Sequence, residues 1–430
     1  MTATANSRYV TPDQLRTGMY VCLDLPWFRH PFTFSNFKIA NQGQIKEIRG
    51  LGLSRVRVDP GQSDEGVLDE LDGGDGLAPE VSEVEVDIPT PTEVPPEISA
   101  RMARQSERRQ RVSEVERAFL KAAGVMRNVH QNLFASPKVC LEEVGALVGE
   151  MVSAFLRAPD STLHVMSEKA GGEDAYYHGL NTSVLCMMLA KDLGLTVDEG
   201  QTLGVAAMLH DLGHVDIPDK VLRKREALTR AEQELRNMHC EYGVRRGQQI
   251  GLSVAALRVI AQHHECADGS GFPKRLKGDE IDPLARIVAL VNHYDNLCNP
   301  VDLTRALTPH EALSLMFAQR RQKFDARALQ LLVRRLGVYP PGSIVVLSND
   351  AIAMVTSVNS RAPLRPWVVV HDPAVPKDEA LSLDLEHEPE VNICKALRPV
   401  QLPTAVYDYL SPRKRVTYFF DAEPGDGSRP

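Results

Sequence analysis

From about Pro137 to Leu336, apolar residues recur at three- and four-residue spacing with little interruption, as in Val184, Leu185, Met188 and Leu189 and again in Leu203, Val205, Ala206 and Leu209. A periodic stretch of that length reads as almost all helical. It places a mainly α domain over residues 137–340. The whole chain has 430 residues, too many for one ordinary core, so the flanks form separate units. Residues 1–60 carry short alternating apolar runs broken by Gly, Asn and Pro, the pattern of a small N-terminal β-rich module. Residues 98–136 read as a helical segment. After Val338, YPPGSIVVLSNDAIAMVTSV and RPWVVVHDP alternate like strands and turns, so residues 341–430 read as a small C-terminal β-rich cap ending in a polar tail.

Residues 61–97 differ from all of these: acidic, rich in Gly and then Pro, and poor in apolar surface, they read as a flexible linker. They also explain the charge. The chain has 49 basic and 57 acidic residues, a formal −8, but twelve acidic and no basic residues lie between Gly61 and Ala100, leaving 49 basic against 45 acidic elsewhere. The acidity belongs to the linker. The basic helix that follows, RMARQSERRQRVSEVERAFLKAAGVMRNV, reads as a solvated face. We expect no DNA, RNA or membrane partner from this charge, and no apolar run approaches the roughly 18 residues of a membrane span. The start, MTATANSRYV, lacks the basic and apolar regions of a signal peptide, and the seven cysteines contain no CxxC pair; both suit a reducing cytoplasm.

The chemistry concentrates in the histidines. Seven of the thirteen (178, 210, 214, 239, 263, 264 and 293) fall within 116 residues of the helical region. A lone helical histidine is usually a hydrogen-bonded core or surface residue; the pairings here are more telling. His210 and Asp211 end an apolar helix, and together they offer a nitrogen ligand and a carboxylate able to bridge two cations. His263 and His264 end a second apolar helix before the turn DGSGFP. His178 opens another helix and His239 sits on a fourth, so imidazoles can converge from four helices.

His178, His210-Asp211, His239, His263-His264 and DGSGFP, with IPDKVL, LTRAEQELRNMHCEYG and LKGDEIDPLARIVALV between and after them, resemble the HD-GYP subgroup of the HD phosphohydrolases over residues 135 to 340. Residues 9 to 60 resemble a domain of unknown function common in front of HD-GYP domains. The resemblance implies an HD-domain helical bundle that binds two or three divalent metal ions, with Fe or Mn ahead of Ni, Co and Zn, and hydrolyses cyclic di-GMP to pGpG and onward to GMP. It implies His178, His210, Asp211, His239, His263, His264 and Asn292 as ligands, and Asp174 as a ligand to a third metal. Cyclic di-GMP is the implied small-molecule partner, GGDEF-domain or other signalling proteins are implied protein partners, and an oligomer is compatible with it.

Four positions depart from the family pattern. His214 replaces the usual lysine of HD-x-G-Lys, so we expect a catalytic group that is cationic only when protonated. Asn292 replaces an aspartate ligand, a neutral amide for a carboxylate. Gly271, Phe272 and Pro273 stand for Gly-Tyr-Pro, keeping a ring to stack on guanine while losing a hydroxyl. The family's Arg-Pro-Tyr-Arg segment is missing, leaving Arg305 or Lys224 to contact substrate phosphate. His293 points about 100° from Asn292 along the helix and reads as a surface residue. Beside the phosphodiesterase reading, a weakly active or inactive scaffolding homologue and a phosphohydrolase for another nucleotide are the alternatives.

Overall fold

The computed structural model describes residues 8–25, 30, 32, 36–64, 66–68, 96–157, 163–166, 176–224, 226–359, 362–373, 375–377, 380–410 and 416–420. The acidic linker, apart from a few residues at its two ends, and Asp174 lie outside the described residues. The chain divides into two units, residues 1–109 with 372–381, and residues 110–371 with 382–430.

In the first unit, β1 (Arg8–Val10), β2 (Tyr20–Cys22), β3 (Asn36–Lys38) and β4 (Val56–Asp59) form an antiparallel sheet in the order β1-β4-β2-β3. Val21 pairs with Phe37 on one side and Val58 on the other, and all three side chains are buried. The β-rich reading misses a helix, α1 (Gln42–Gly50). Its start is fixed by Asn41, whose side chain accepts from the Gln44 amide, and Ile45 and Ile48, three residues apart, bury on one face.

Helix α2 (Pro96–Asn132) crosses the division between units, and in the second unit Val115, Phe119, Ala122, Met126 and Val129 enter the core at helical spacing. The bundle continues with α3 (Pro137–Val152), the strand β5 (Leu163–Val165), α4 (Tyr176–Leu193), α5 (Val197–Met208), α6 (Asp219–Leu222), α7 (Arg230–Asn237), α8 (His239–Ile250), α9 (Val254–Gln262), α10 (Pro283–Cys298), α11 (Pro309–Gln319) and α12 (Ala326–Leu336). Helix α10 is buried nearly all round, from Leu284 to Cys298, which makes it a central helix rather than an amphipathic one. It packs on α4, α5 and α9, the helices whose ends carry the histidines.

The strands β6 (Ile344–Leu347), β7 (Ile352–Ser357), β8 (Trp367–Val370), β9 (Leu381–Asp384) and β10 (Ile393–Leu397) precede α13 (Thr404–Leu410) and β11 (Tyr418–Phe420). Seven strands form one sheet, ordered β10-β6-β7-β5-β11, with β8 pairing β7 and β9. This sheet takes β5 from inside the helical sequence: His164 pairs with Phe419 of β11 and Ser357 of β7. Three residues are too few to show alternation, so the sequence pattern gives no sign of it. Among the described residues no helix is long and apolar enough to cross a membrane.

Candidate metal centre

The site is assembled from helix ends. His178 lies in the first turn of α4; Leu209 closes α5, so His210 and Asp211 follow directly; His239 is the first residue of α8; His263 closes α9 and His264 follows. A short 3-10 turn, Leu212–Asp216, carries the chain away from Asp211 and packs on α8. That packing requires glycine, because a Cβ on Gly213 would lie 1.9 Å from the His239 carbonyl oxygen and 2.4 Å from the Gly243 nitrogen. Two metal-candidate segments are thereby held in backbone contact.

Hydrogen bonds fix the rings. His210 Nδ1 donates to the Ala207 carbonyl, His239 Nδ1 to that of Arg236 and His263 Nδ1 to that of Ile260, each at 2.7 Å. A carbonyl only accepts, so each Nδ1 carries the proton and each Nε2 turns a bare lone pair inward. Around Asp211 these atoms form two sets. His178 Nε2 is 3.7 Å and His210 Nε2 3.5 Å from Asp211 Oδ2, with His178 Nε2 3.2 Å from His210 Nε2 and 3.1 Å from Asn292 Oδ1. His239 Nε2 and His263 Nε2 are each 3.6 Å from Asp211 Oδ1 and 3.1 Å from one another, and His264 completes that set.

These residues fit metal ions. Two bare imidazole nitrogens at 3.1 Å repel, whereas two donors on one cation, each about 2.0–2.1 Å from it, stand roughly 3.0–3.4 Å apart. Asp211 Oδ1 is buried without a hydrogen-bond partner, a cost a native structure seldom bears unless an ion or water meets the atom. Burial, against the pull of the Asp211 charge, holds His210 at about 3 and His239 at about 4, and His264 is lowered too; all three are neutral at pH 7, the state in which an imidazole can take a metal. Burial alone would raise the Asp211 carboxyl, but the surrounding imidazoles outweigh it and keep it ionised.

His178 is different. Its Nδ1 meets Asp295 Oδ2 at 2.5 Å; burial lowers its pKa, but the Asp295 hydrogen bond and charge outweigh this and raise it to about 9. Asp295 Oδ1 accepts from the side chains of Asn181 and Asn299. Asn299 also bonds both the amide and carbonyl of Val416, and Asn181 Oδ1 accepts from the Tyr418 amide at 2.8 Å. The C-terminal strand thus braces the carboxylate that orients His178. Sequence reasoning missed Asp295, Asn181 and Asn299 as supports; the available signal was that Asp295, three residues after Asn292, shares its face of α10.

Other candidates fall unevenly. His214 is half-buried with Nδ1 3.5 Å from Asp211 Oδ2. Burial lowers it below 6.5, the Asp211 charge opposing and the Arg236 charge assisting, so it is neutral near pH 7. Phe272 stacks on His264 with ring centroids 4.5 Å apart. Gly271 is required because a Cβ there would come 2.4 Å from the Cys266 nitrogen and 2.5 Å from the His264 oxygen. Pro273 is exposed and lines neither cavity at the site. Lys224 and Arg305, expected from sequence at a substrate phosphate, each stand beside a carboxylate. Lys224 Nζ is held by both Glu232 oxygens at 2.8 and 2.6 Å, and Arg305 is exposed beside Asp302 at 3.5 Å; neither borders either cavity at Asp211. His293 is half-buried rather than a surface residue, accepting from Arg320 at 2.9 Å against Phe324.

Two cavities meet over Asp211. One, of about 330 Å³, is bordered by Gln233, Asn237, Phe272 and Phe324. The other, of about 880 Å³, is bordered by Tyr177, Leu209, Val215 and Val301.

Residues 160–328 match the HD domain family, residues 8–144 a domain of unknown function (DUF3391), and residues 344–405 a KOW domain associated with HD domain. The chain is 28% identical to a cyclic di-GMP phosphodiesterase of Pseudomonas aeruginosa over 83% of each chain. It is 32% identical to a cyclic di-GMP phosphodiesterase response regulator of Xanthomonas campestris pv. campestris over 56% of this chain and 59% of that one. It is 33% identical to a 3′3′-cGAMP-specific phosphodiesterase of Vibrio cholerae over 36% of this chain and 30% of that one. The chain therefore spans less than two thirds of the second and third relatives.

Proposed function

We propose that this chain, an HD-domain protein homologous to cyclic di-GMP phosphodiesterases, is itself a metal-dependent phosphodiesterase that opens cyclic di-GMP to linear pGpG and onward to GMP. The observation that carries the reading is Asp211, whose two oxygens face separate imidazole sets, one of those oxygens buried and unpartnered. HD domains bind divalent metals. Here His178, His210 and Asn292 would hold one cation and His239, His263 and His264 a second, with Asp211 common to both; Asp174 is the candidate ligand for a third. Mixed His and carboxylate ligation accommodates Fe, Mn, Ni, Co or Zn without choosing among them; Fe or Mn is the reading carried over from the family resemblance.

Bound cations of this kind bring a water towards a pKa of ~7 and stabilise the charge of an in-line phosphoryl transition state. The protein's own residues do the positioning. The tethered Nδ1 atoms aim the imidazole lone pairs, Asp295 makes His178 a more basic ligand, and Phe272 fixes the ring plane of His264. His214, neutral near pH 7, can offer a ring N–H to the leaving oxygen as a hydrogen-bond donor, weaker help than a fixed lysine charge.

The test is turnover of cyclic di-GMP by the metal-reconstituted full chain, with products resolved by chromatography. The expected result is pGpG, falling at least about 100-fold in Asp211→Asn. Metal-loaded protein that released none from cyclic di-GMP but opened 3′3′-cyclic GMP-AMP would move the substrate; release from neither would overturn the reading.

A further inference from the structure

Lys224 and Arg305 stand beside carboxylates and border neither of the two cavities at Asp211, so the cation for substrate phosphate is sought elsewhere. Arg236 is placed to supply it. It lies in the last turn of α7, half-buried, and its guanidinium has no hydrogen bond or ion pair among the described residues. Burying part of a cation without a partner is costly unless something anionic or wet meets it. Arg236 borders both cavities, and among the described residues only Asp211, His214, Arg236 and Asn296 are common to the two. Its charge reaches His214. Its backbone is held in place, because the Arg236 carbonyl accepts the His239 Nδ1–H at 2.7 Å.

We propose that Arg236 is the phosphate-binding fork of this site: it meets the phosphodiester that lies over Asp211, between a nucleoside arm in the smaller cavity and another in the larger. The inference rests on the phosphodiesterase reading. A guanidinium offers two parallel N–H donors that match phosphate oxygens, a fixed charge that His214 does not provide. The amides of Gln233, Asn237 and Asn296 beside it can hydrogen-bond base edges in the smaller cavity.

Arg236→Ala and Arg236→Lys in the metal-loaded full chain test this, with metal content, steady-state kinetics on cyclic di-GMP and calorimetric titration with inorganic phosphate measured for each. The alanine variant is expected to keep its metals, to raise KM roughly 10- to 100-fold and to weaken inorganic phosphate by a similar factor. The lysine variant recovers part of both, since an ammonium makes a point contact. An alanine variant within about twofold of wild type for phosphate, or one that loses metal, overturns the inference, the second outcome assigning Arg236 a structural role through His239. Should the wild type fail to open cyclic di-GMP, the phosphodiesterase reading falls by itself, and the phosphate titration still decides the role of Arg236.

Discussion

Replacing Asp295 with asparagine keeps the shape of the side chain and removes the charge that holds His178. In the wild type Asp295 Oδ2 takes the His178 Nδ1–H at 2.5 Å while Oδ1 takes amide protons from Asn181 and Asn299. An asparagine has one acceptor oxygen for these two sides, so its NH2 must face either His178 or the two asparagine donors. Losing such an outer-shell partner typically weakens a metal site 10- to 100-fold, or about 1.4 to 2.8 kcal/mol. The loss falls on one set only: the cation at His178 and His210 weakens while that at His239, His263 and His264 stays. Elemental analysis after dialysis is expected to show one metal fewer per chain. A proton reports the same change. In the metal-stripped wild type His178 is raised to about 9, so at pH 7.5 metal binding expels a proton that the variant no longer holds, and calorimetry in buffers of different ionisation heat counts it. Because the folded value is raised, its contribution to stability is complete below about pH 6.5 and is lost as pH rises through about 9, up to roughly 3 kcal/mol in the stripped protein. A variant that retained every metal with wild-type affinity and released the same proton would refute this role for Asp295.

Gly213→Ala is expected to lower the melting temperature by several degrees and to strip metal along with it, since the new Cβ meets backbone atoms of His239 and Gly243 that cannot swing aside; overpacking of this kind costs about 1–3 kcal/mol. An unchanged melting curve would show that the turn and α8 can part. Arg305→Ala and Lys224→Ala are expected to leave KM for cyclic di-GMP within about twofold, the second with little loss of stability because its ion pair with Glu232 is open to solvent; a large rise in KM would place either residue at the substrate. Asn292→Asp places a carboxylate opposite His178 and is expected to slow metal loss at the His178 and His210 side by about tenfold in a chelator challenge. Faster loss would mean that the amide is not facing a cation.

The histidines were legible because two of the helices carrying them end in adjacent chemistry-bearing pairs, His210-Asp211 and His263-His264, and the apolar period shows where those helices stop. The bundle was legible for the same reason. What the pattern could not show was pairing across space. Sequence does not reveal that Lys224 meets Glu232 or that Arg305 lies beside Asp302. Arg236 looked ordinary, one charge among many on the surface-like helix RAEQELRN, and only the packing of α7 turns it to the cavities. His293 sits about 100° from Asn292 on the helix, as expected, but the segment after α11 covers that face and buries it against Phe324. The short strands β5 and β11 carry too few residues for alternation, yet through Val416 and Tyr418 the chain near its C terminus reaches Asp295's partners.

The central claim is that Asp211 joins two cation positions. Crystals of the metal-reconstituted chain, measured at the absorption edge of the bound metal, address it directly through anomalous scattering. The expected map has two peaks flanking the Asp211 carboxylate, about 3.5–4 Å apart, one beside His178 and His210 and one beside His239, His263 and His264. A single peak, or peaks that leave Asp211 uncoordinated, would contradict it.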